Sequence, residues 1–398
     1  MTHPTATATR RATHPDWPAV RSAFAGVRDV VYLNTGTVGI RPGPVVDRLL
    51  AATARLEAEG VATYATLPHE SEHARAGIAA VIGAEPDEIG LCGNATDAVN
   101  WVTAGLAWSE GDEVLLSGQE HPAMLWPWTY LHQRHGVVLR RFPVTHDADA
   151  MIESVGRLVT PRTRVIATSH VSSETGTRVP VRELSAFAAE RGILTMIDGA
   201  QAVGNIHVDV RELGCDFYAA NGHKWLCGPN GTGFLWAPLD RMAMLWPAHV
   251  GAGSAARFDE RTGIELHAGG RRFEFGTRDY ARWSGMHAAL DWLQDLGGIA
   301  ATEPRERELA SHLRREVRKR DGWTLHTPEA WEHGSALTTF SVPGHGPREL
   351  HDLLGHREPR ILTRMVHPFD ALRISTHYYN DESDVERLLE ALDEIVSG

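Results

Sequence analysis

Two residues lie at the ends of short apolar runs, where their side chains could take part in covalent chemistry. Lys224 lies in NGHKWLCGPNGTGFLW (221–236), between a histidine and a tryptophan and ahead of a Gly/Pro-rich turn. A partly desolvated lysine can lose its proton and attack an aldehyde. Asp198 lies in IDGAQ (197–201), where a carboxylate could meet a cationic ring nitrogen. Together they predict an imine-forming lysine beside an electron-accepting heterocycle, the arrangement used with pyridoxal phosphate.

Each of these features also has a simpler interpretation. Most lysines are solvated surface residues, and an aspartate that follows a strand often caps the next helix. The segment GTG (231–233) is similar to part of a dinucleotide-binding loop, but it precedes a strand rather than a helix. Two alternatives therefore stay open: a protein that keeps the fold without catalysis, and an enzyme that uses the Gly-rich turn for a nucleotide.

The elements that position these residues alternate between apolar runs and helical segments. From residue 85 to 240 this alternation is typical of βαβ units and predicts a parallel sheet covered by helices on both faces. The predicted strands are 113–117, 137–142, 164–169, 193–197, 216–220, 233–237 and 338–342, and the predicted helices are 123–135, 181–191, 305–318 and 384–396. Residues 253–275 are rich in Gly, Arg and Glu and are predicted to form a long excursion without an element.

Polar residues follow four of the predicted strands. They are the segments 119–121, 170–176, 198–201 and 221–224. In open α/β sheets, ligands bind outside the carboxyl ends of the strands. The four segments are therefore expected to meet at one edge of the sheet and form a site.

Length and composition limit the class of protein. The chain has 398 residues, which favours two domains. Its formal net charge of -12 gives no reason to expect nucleic acid as a partner. Three scattered cysteines (Cys92, Cys215 and Cys227) suit neither a disulfide framework nor a zinc site, and no metal site is expected. Without an apolar run of about 18 residues or a secretory signal, we expect a cytoplasmic protein with no membrane partner.

Eight segments, in order along the chain, resemble the class V aminotransferase family of fold-type I pyridoxal-phosphate enzymes. They are YLNTGTVG (32–39), CGNATDAVN (92–100), QEHPAMLWPW (119–128), SHVSSETGT (169–177), IDGAQ (197–201), GHKWL (222–226), FEFGTRD (273–279) and LRISTHYYN (372–380). The resemblance spans nearly the whole chain. Within the family, the chain is most similar to isopenicillin N epimerases and cysteine-conjugate C–S lyases.

The resemblance implies a fold class and a domain division. The fold class is α/β, with a mostly parallel seven-stranded sheet between helices in a large domain and a smaller α+β C-terminal domain. The implied boundaries are a disordered tail at 1–14, an N-terminal segment at 15–40 that packs with the small domain, a large cofactor-binding domain at 41–280 and the small domain at 281–398.

The resemblance also implies which residues bind pyridoxal 5'-phosphate. The implied cofactor-binding residues are Ala95, Thr96, His121, Ser173, Asp198, Gln201, Asn221, His223, Lys224 and Thr277. Ala95 and Thr96 would bind the phosphate at a helix N-terminus, where the dipole favours an anion. His121 would stack on the ring, and Gln201 would bond its phenolic oxygen. Lys224, Asp198 and His121 would be the catalytic residues.

Two further implications concern the substrate and the subunits. Asn34 and Arg373 would bind an amino-acid substrate, with Arg373 on its carboxylate, a task that suits the geometry of a guanidinium. Thr277 would reach the phosphate of the neighbouring subunit. The resemblance therefore implies a homodimer with composite active sites.

Activation of the Cα–H bond of an amino acid can lead to several reactions. β-Elimination would make the protein a C–S lyase that acts on a cysteine-derived conjugate, and this is the favoured reaction. Residues 228–398 contain no cysteine, so persulfide-forming desulfuration is not expected. The alternatives are an isopenicillin N epimerase-like amino-acid epimerase, an aminotransferase, and an oxidative or decarboxylating enzyme.

Overall fold

The structure of the protein is a computed structural model that describes residues 15–398. The predicted tail at 1–14 lies outside the described residues. The strands are β1 (Val30–Tyr32), β2 (Ile89–Cys92), β3 (Glu113–Ser117), β4 (Val138–Phe142), β5 (Thr163–Ser169), β6 (Leu194–Asp198), β7 (Phe217–Asn221), β8 (Gly233–Trp236), β9 (Ala255–Asp259), β10 (Gly263–Leu266), β11 (Thr324–Leu325), β12 (Leu337–Ser341), β13 (Arg360–Leu362), β14 (Arg364–Val366) and β15 (Ala371–Ser375).

The same part of the chain forms thirteen α-helices. They are α1 (Trp17–Ser22), α2 (Gly43–Glu59), α3 (Leu67–Ile82), α4 (Ala95–Gly105), α5 (Pro122–His135), α6 (Ala148–Leu158), α7 (Val181–Ala189), α8 (Val210–Leu213), α9 (Leu239–Ala243), α10 (Tyr280–Asp295), α11 (Ile299–Arg318), α12 (Pro347–Gly355) and α13 (Glu382–Ser397).

The central sheet has seven strands in the order β2-β8-β7-β6-β5-β3-β4. Successive side chains along a strand point to opposite faces. In β3, Val114 and Leu116 therefore join one hydrophobic cluster while Leu115 joins another, and in β7 Phe217 and Tyr218 divide in the same way. Because both faces are buried, these strands are continuous apolar runs rather than alternating ones.

The predicted mostly parallel seven-stranded sheet is confirmed. The strands predicted between residues 113 and 237 are all present, each within one residue of its predicted bounds. The pairs that include β8 are antiparallel, and the other neighbouring pairs are parallel. The carboxyl ends of β3, β5, β6 and β7 therefore share one edge of the sheet.

A smaller antiparallel sheet lies in the C-terminal part, in the order β11-β12-β15-β14. Its buried residues form a separate hydrophobic cluster with α11, α12 and α13, and this cluster includes Val31 and Leu33 from the N-terminal segment. β1 also pairs in parallel with β13. Residues near both ends of the chain thus pack together. The boundaries at residues 40 and 280 stay predictions.

Two predicted elements differ from the structure. The 253–275 segment, predicted to form no element, contains an antiparallel hairpin of β9 and β10. The sequence did not predict this hairpin because the hairpin's residues are largely exposed and show no alternation of buried and exposed positions. The helix predicted at 305–318 begins earlier, at Ile299, with Pro304 inside it. Proline usually marks a helix boundary, and here tertiary packing overrides that preference. No helix within 15–398 is both long and apolar enough to cross a bilayer.

Candidate active site

A cavity of about 320 Å³ opens at the shared carboxyl edge of the central sheet. Residues from all four predicted polar segments line it. The predicted site residues among its lining are Thr96, His121, Ser173, Asp198, Gln201, Asn221, His223, Lys224 and Arg373. Three other predicted site residues, Ala95, Thr277 and Asn34, do not line the cavity.

Lys224 lies in the turn after β7 and is buried. Burial lowers its pKa to about 8; the nearby Asp198 opposes this shift, and Arg373 adds to it. The N-terminal segment packs directly on this turn, since the Gly39 N–H donates to the carbonyl of His223 at 2.8 Å. A Cβ at position 39 would collide with the Lys224 carbonyl oxygen, so only glycine fits there. Lys224 is therefore held in place and is readily deprotonated.

Asp198 is the last residue of β6 and is also buried. Its Oδ1 accepts a hydrogen bond from the Ala200 N–H at 2.8 Å, and no described residue donates to Oδ2. Burial raises the pKa of Asp198, while the charge of Lys224 lowers it. Residues 199–206 form turns, so the alternative that Asp198 caps a following helix does not apply. One carboxylate oxygen is thus free to bind a cation in the cavity.

The N-terminus of α4 faces the cavity at Thr96. Neither the amide nor the hydroxyl of Thr96 has a partner among residues 15–398. The Ala95 N–H donates to Asn221 Oδ1 at 2.8 Å in this structure, and its expected phosphate contact stays a prediction. His223 Nδ1 is buried without a described partner. Unpaired donors and a helix N-terminus together suit an anion.

His121 precedes α5, and its Nδ1 accepts a hydrogen bond from the Ala123 N–H at 3.1 Å. Burial lowers its pKa to about 4, helped by the positive charge of Lys224. The ring is therefore neutral, and its hydrogen bond assigns the proton to Nε2. Gln201 accepts from the Trp225 indole at 2.9 Å and donates to the Gly36 carbonyl at 2.8 Å. One amide hydrogen of Gln201 remains for a ligand.

Arg373 lies on β15 of the smaller sheet, is buried and lines the cavity. It donates to the Ser173 carbonyl at 2.7 Å and to the Thr37 hydroxyl at 3.2 Å. Its Nε has no partner within the described chain. Burial lowers the pKa of Arg373 to about 9, and the charge of Arg364 adds to this effect. The side chain forms no salt bridge with a described carboxylate, so it can bind an external one.

Asn34 does not line the cavity, and its expected substrate contact stays a prediction. Its amide donates to the Thr363 carbonyl at 3.0 Å, and its oxygen accepts from the Thr37 hydroxyl at 2.7 Å. Since Thr37 in turn contacts Arg373, Asn34 supports the position of the arginine. Thr277 is exposed and lies outside this cavity, so its expected contact with a neighbouring subunit stays a prediction.

Two carboxylates that line the cavity were not predicted as site residues. Glu120 is buried and accepts hydrogen bonds from the Ser169 amide at 2.8 Å and hydroxyl at 2.7 Å, and from the Ser117 hydroxyl. Burial raises its pKa to about 7. Glu174, in the loop after β5, is half-buried. The polar segments 119–121 and 170–176 indicated the right regions, but which carboxylates turn inward depends on tertiary packing.

Comparison with known proteins agrees with this geometry. Residues 31–388 match the model of the family Aminotransferase class-V, so the chain belongs to the class V aminotransferase family. It is 36% identical over 397 residues to the isopenicillin N epimerase of Streptomyces clavuligerus. That alignment covers 95% of this chain and 98% of the relative. It is 35% identical to a probable cysteine desulfurase of Pseudomonas aeruginosa, over 95% of this chain and 96% of the relative.

Solved structures share both the fold and the cofactor. A structure of C-DES with glycine covalently linked to its PLP cofactor has a TM-score of 0.87 at 28% identity, and it covers 94% of this chain and 98% of that one. A second structure, described as the cystine C–S lyase C-DES with its product cysteine persulfide, has a TM-score of 0.86, 28% identity and coverage of 93% and 98%. The present protein is a fold-type I enzyme that depends on pyridoxal 5'-phosphate.

The groups left unpaired in the cavity fit this cofactor. Thr96 and His223 offer free polar atoms where a phosphate can bind, at a helix N-terminus. The free oxygen of Asp198 suits the pyridine nitrogen, and the amine of Lys224 suits the aldehyde. The remaining amide hydrogen of Gln201 can donate to a ring oxygen. Each cofactor group therefore has a complementary group in the chain.

Proposed function

We propose that the enzyme removes the Cα proton of an amino acid and releases a thiol by β-elimination from a cysteine-derived conjugate. The observation that supports elimination is the arrangement of the nitrogen bases in the cavity, Lys224 and His121. Lys224 is the single amine among the described lining residues, with a pKa of about 8. His121 is neutral, and its Nδ1 is already occupied by Ala123. Elimination needs one base at Cα, whereas epimerisation also needs an acid on the opposite face.

The residues of the cavity then have distinct tasks. When bound, pyridoxal phosphate supplies an aldehyde that condenses with amines and a ring that accepts the electrons of the Cα–H bond. Lys224 would bind the aldehyde carbon and, once displaced by the substrate amine, would take the Cα proton on Nζ. Asp198 would hold a proton at the ring nitrogen. Arg373 would orient the substrate carboxylate.

Desulfuration that leaves a persulfide on the enzyme has little support in this chain. Such a reaction needs an enzyme cysteine thiolate beside the substrate sulfur. All three cysteines are buried, and none lines the cavity. Cys227 follows Lys224 by three residues, but burial raises its pKa to about 12, which keeps it a thiol. The likeness to cysteine desulfurases therefore concerns the fold and the cofactor site rather than a nucleophile.

Epimerisation is the second candidate. The 36% identity to an isopenicillin N epimerase over nearly the whole chain favours it. In that case His121, which would stack on the cofactor ring, would have to deliver a proton from Nε2. Its low pKa makes it a weak acceptor of the proton that the next turnover would require.

We also propose that the enzyme is a homodimer in which Thr277 completes the phosphate site of the partner. The exposed position of Thr277, outside its own cavity, supports this arrangement. Sedimentation should then give twice the mass of the chain, and Thr277→Ala should weaken cofactor binding. A monomer with full cofactor affinity would refute it.

The reaction type can be tested with S-propyl-L-cysteine in deuterated water. Release of propanethiol, pyruvate and ammonia is expected from elimination. Deuterium at Cα with inverted configuration would instead indicate epimerisation, and a keto acid that keeps the thioether would indicate transamination. Lys224→Ala should abolish all three outcomes, while Lys319→Ala, on an exposed residue, serves as the matched control.

A further inference from the structure

A cluster of two histidines and one glutamate lies outside the cavity, where helices α3 and α10 meet. Glu70 and His73 are on α3, His287 is on α10, and none of the three lines the cavity. One nitrogen or oxygen atom from each side chain lies within 4.8 Å of those of the other two. Imidazole nitrogens and a carboxylate oxygen are a common set of ligands for zinc and related divalent ions. The cluster therefore has the composition of a metal site.

Glu70 supplies the carboxylate of this cluster. Burial raises its pKa, but hydrogen bonds from His287 and Arg48 outweigh that effect and lower it, so the side chain is ionised. Its Oε2 lies 2.7 Å from His287 Nδ1, and its Oε1 accepts from Arg48 Nη2 at 2.8 Å. Carboxylates that bind metals are usually hydrogen-bonded as well. Arg48 can therefore keep its contact with Oε1 while Oε2 binds an ion.

The ring of His287 lies between two carboxylates. Its Nδ1 faces Glu70, and its Nε2 lies 3.3 Å from Oδ2 of Asp291, one turn further along α10. If an ion took the place of the hydrogen on Nδ1, the N–H at Nε2 would still donate to Asp291. Metal-binding histidines typically donate their second ring nitrogen to a carboxylate in this way, which fixes the orientation of the ring. The charge of Asp291 also offsets that of Arg48.

His73 supplies the third ligand and has no competing contact. Its side chain is exposed and forms no hydrogen bond or salt bridge with any residue from 15 to 398. Its ring lies against that of His287, with centroids 4.7 Å apart. The ligands of a tetrahedral zinc ion are about 3.3 Å from one another, so the cluster must close by about 1–2 Å. Rotation of the exposed His73 side chain can provide that movement.

The sequence next to this cluster contains a pattern that suggests a different set of ligands. Residues 69–73 read HESEH, which matches the H-E-x-x-H pattern of helices that bind zinc through two histidines four positions apart. His69 is exposed and does not belong to the cluster, whereas Glu70 and His287 do. The fold thus replaces the first histidine of the pattern with one from another helix.

We propose that Glu70, His73 and His287 bind one divalent transition-metal ion that joins α3 to α10. Asp291 and Arg48 are its outer hydrogen-bond partners, and water takes the fourth position. Because the cluster lies outside the cavity, the ion stabilises the fold and takes no part in the reaction. The inference is therefore independent of the proposed function.

Zinc binding by the untagged holoenzyme tests this inference. After treatment with a chelator, the protein is dialysed against Zn²⁺, and the bound metal is measured by mass spectrometry. One equivalent per chain is expected, and Tm should rise with the zinc concentration because the ion binds the folded chain. Mg²⁺ prefers oxygen ligands, so an excess of Mg²⁺ should not displace the zinc.

Four variants assign the bound ion to its ligands. His73→Ala, which removes an exposed side chain, and Glu70→Gln should each abolish stoichiometric binding. Asp291→Asn should weaken zinc binding by about 10- to 100-fold, because it removes only the outer partner of His287. His69→Ala is the matched control on the same helix and should leave the affinity unchanged.

Three results would overturn the inference. They are the absence of stoichiometric zinc in the parent protein, zinc binding that survives both His73→Ala and Glu70→Gln, and a loss in His69→Ala as large as that in His73→Ala. The second would show adventitious binding to surface histidines, and the third would assign the ion to the HESEH pattern alone. None of them bears on the proposed elimination, because no substrate is present in this experiment.

Discussion

The two walls of the cavity compensate their charges in different ways. The cofactor wall, formed by Glu120, Asp198 and Lys224 at the edge of the central sheet, contains charges of both signs and hydrogen-bond donors for its carboxylates. The arginine wall, formed by the exposed Arg364 and the buried Arg373 on the smaller sheet, forms no salt bridge with a carboxylate of the described chain. The arginine wall lacks such compensation at the buried Arg373, which leaves this side chain free to bind an external carboxylate, and we infer that this difference separates cofactor chemistry from substrate selection.

The largest expected effect is on the cofactor wall, from Lys224→Ala. A catalytic acid or base typically contributes about 10²–10⁴-fold, and this lysine is also the attachment point, so kcat should fall by about 10³-fold or more. Steady-state kinetics with a saturating cofactor measures this loss. Retention of more than a tenth of the activity would show that the cofactor wall does not work as described.

The next effect separates the two buried carboxylates of the cofactor wall. Removal of one member of a buried charge pair costs about 3–5 kcal/mol, so Asp198→Asn should weaken cofactor binding by about a hundredfold or more. Glu120→Gln is the matched comparison, and its effect should be less than tenfold because Ser169 and Ser117 already occupy its oxygens. Equilibrium dialysis of both variants measures the difference. Equal losses would show that the free oxygen of Asp198 is not decisive.

A smaller effect is expected on the arginine wall. Arg373→Lys keeps the charge but loses the planar guanidinium, and a lost hydrogen bond to a charged group is worth about 1.5–3 kcal/mol, or about 10- to 100-fold in kcat/KM. Cofactor affinity should change little, because this wall acts on the substrate. If cofactor affinity fell as much as kcat/KM, the assignment of substrate binding to one wall and cofactor binding to the other would be wrong.

The smallest effect is a pH dependence of cofactor uptake. Only the neutral amine attacks an aldehyde, and the pKa of Lys224 is lowered to about 8. The rate of uptake by the cofactor-free protein should therefore rise about tenfold per pH unit below about 8 and level off above it. Stopped-flow absorbance measures this rate. A rise that continues to about pH 10 would mean that the lysine is not desolvated.

Much of the cofactor wall could be predicted because its signals are local. β3, β5, β6 and β7 are continuous apolar runs, and each is followed by polar residues at the edge where parallel strands bind ligands. The positions of Lys224 and Asp198 follow from that pattern. The use of the Ala95 amide by Asn221 could not be predicted, because it joins residues that are 126 positions apart.

The arginine wall depends on contacts that the sequence does not encode locally. Arg364 and Arg373 are nine positions apart, and only the β14–β15 register places them opposite each other. The same holds for Asn34, whose family role suggested a ligand contact but whose partners are Thr363 and Thr37. The 255–266 hairpin was missed for another reason, since an exposed hairpin carries no alternating hydrophobic pattern.

The attachment of the cofactor at position 224 is the central claim, and the composition of the chain makes it easy to test. The sequence contains two lysines, Lys224 and Lys319. Lys319 is exposed and paired with Glu316 at 2.6 Å. Borohydride reduction of the holoenzyme, followed by peptide mass mapping, should find the phosphopyridoxyl group on Lys224 in stoichiometric amount. A label on Lys319, or a cofactor that is bound but leaves no label, would contradict the account.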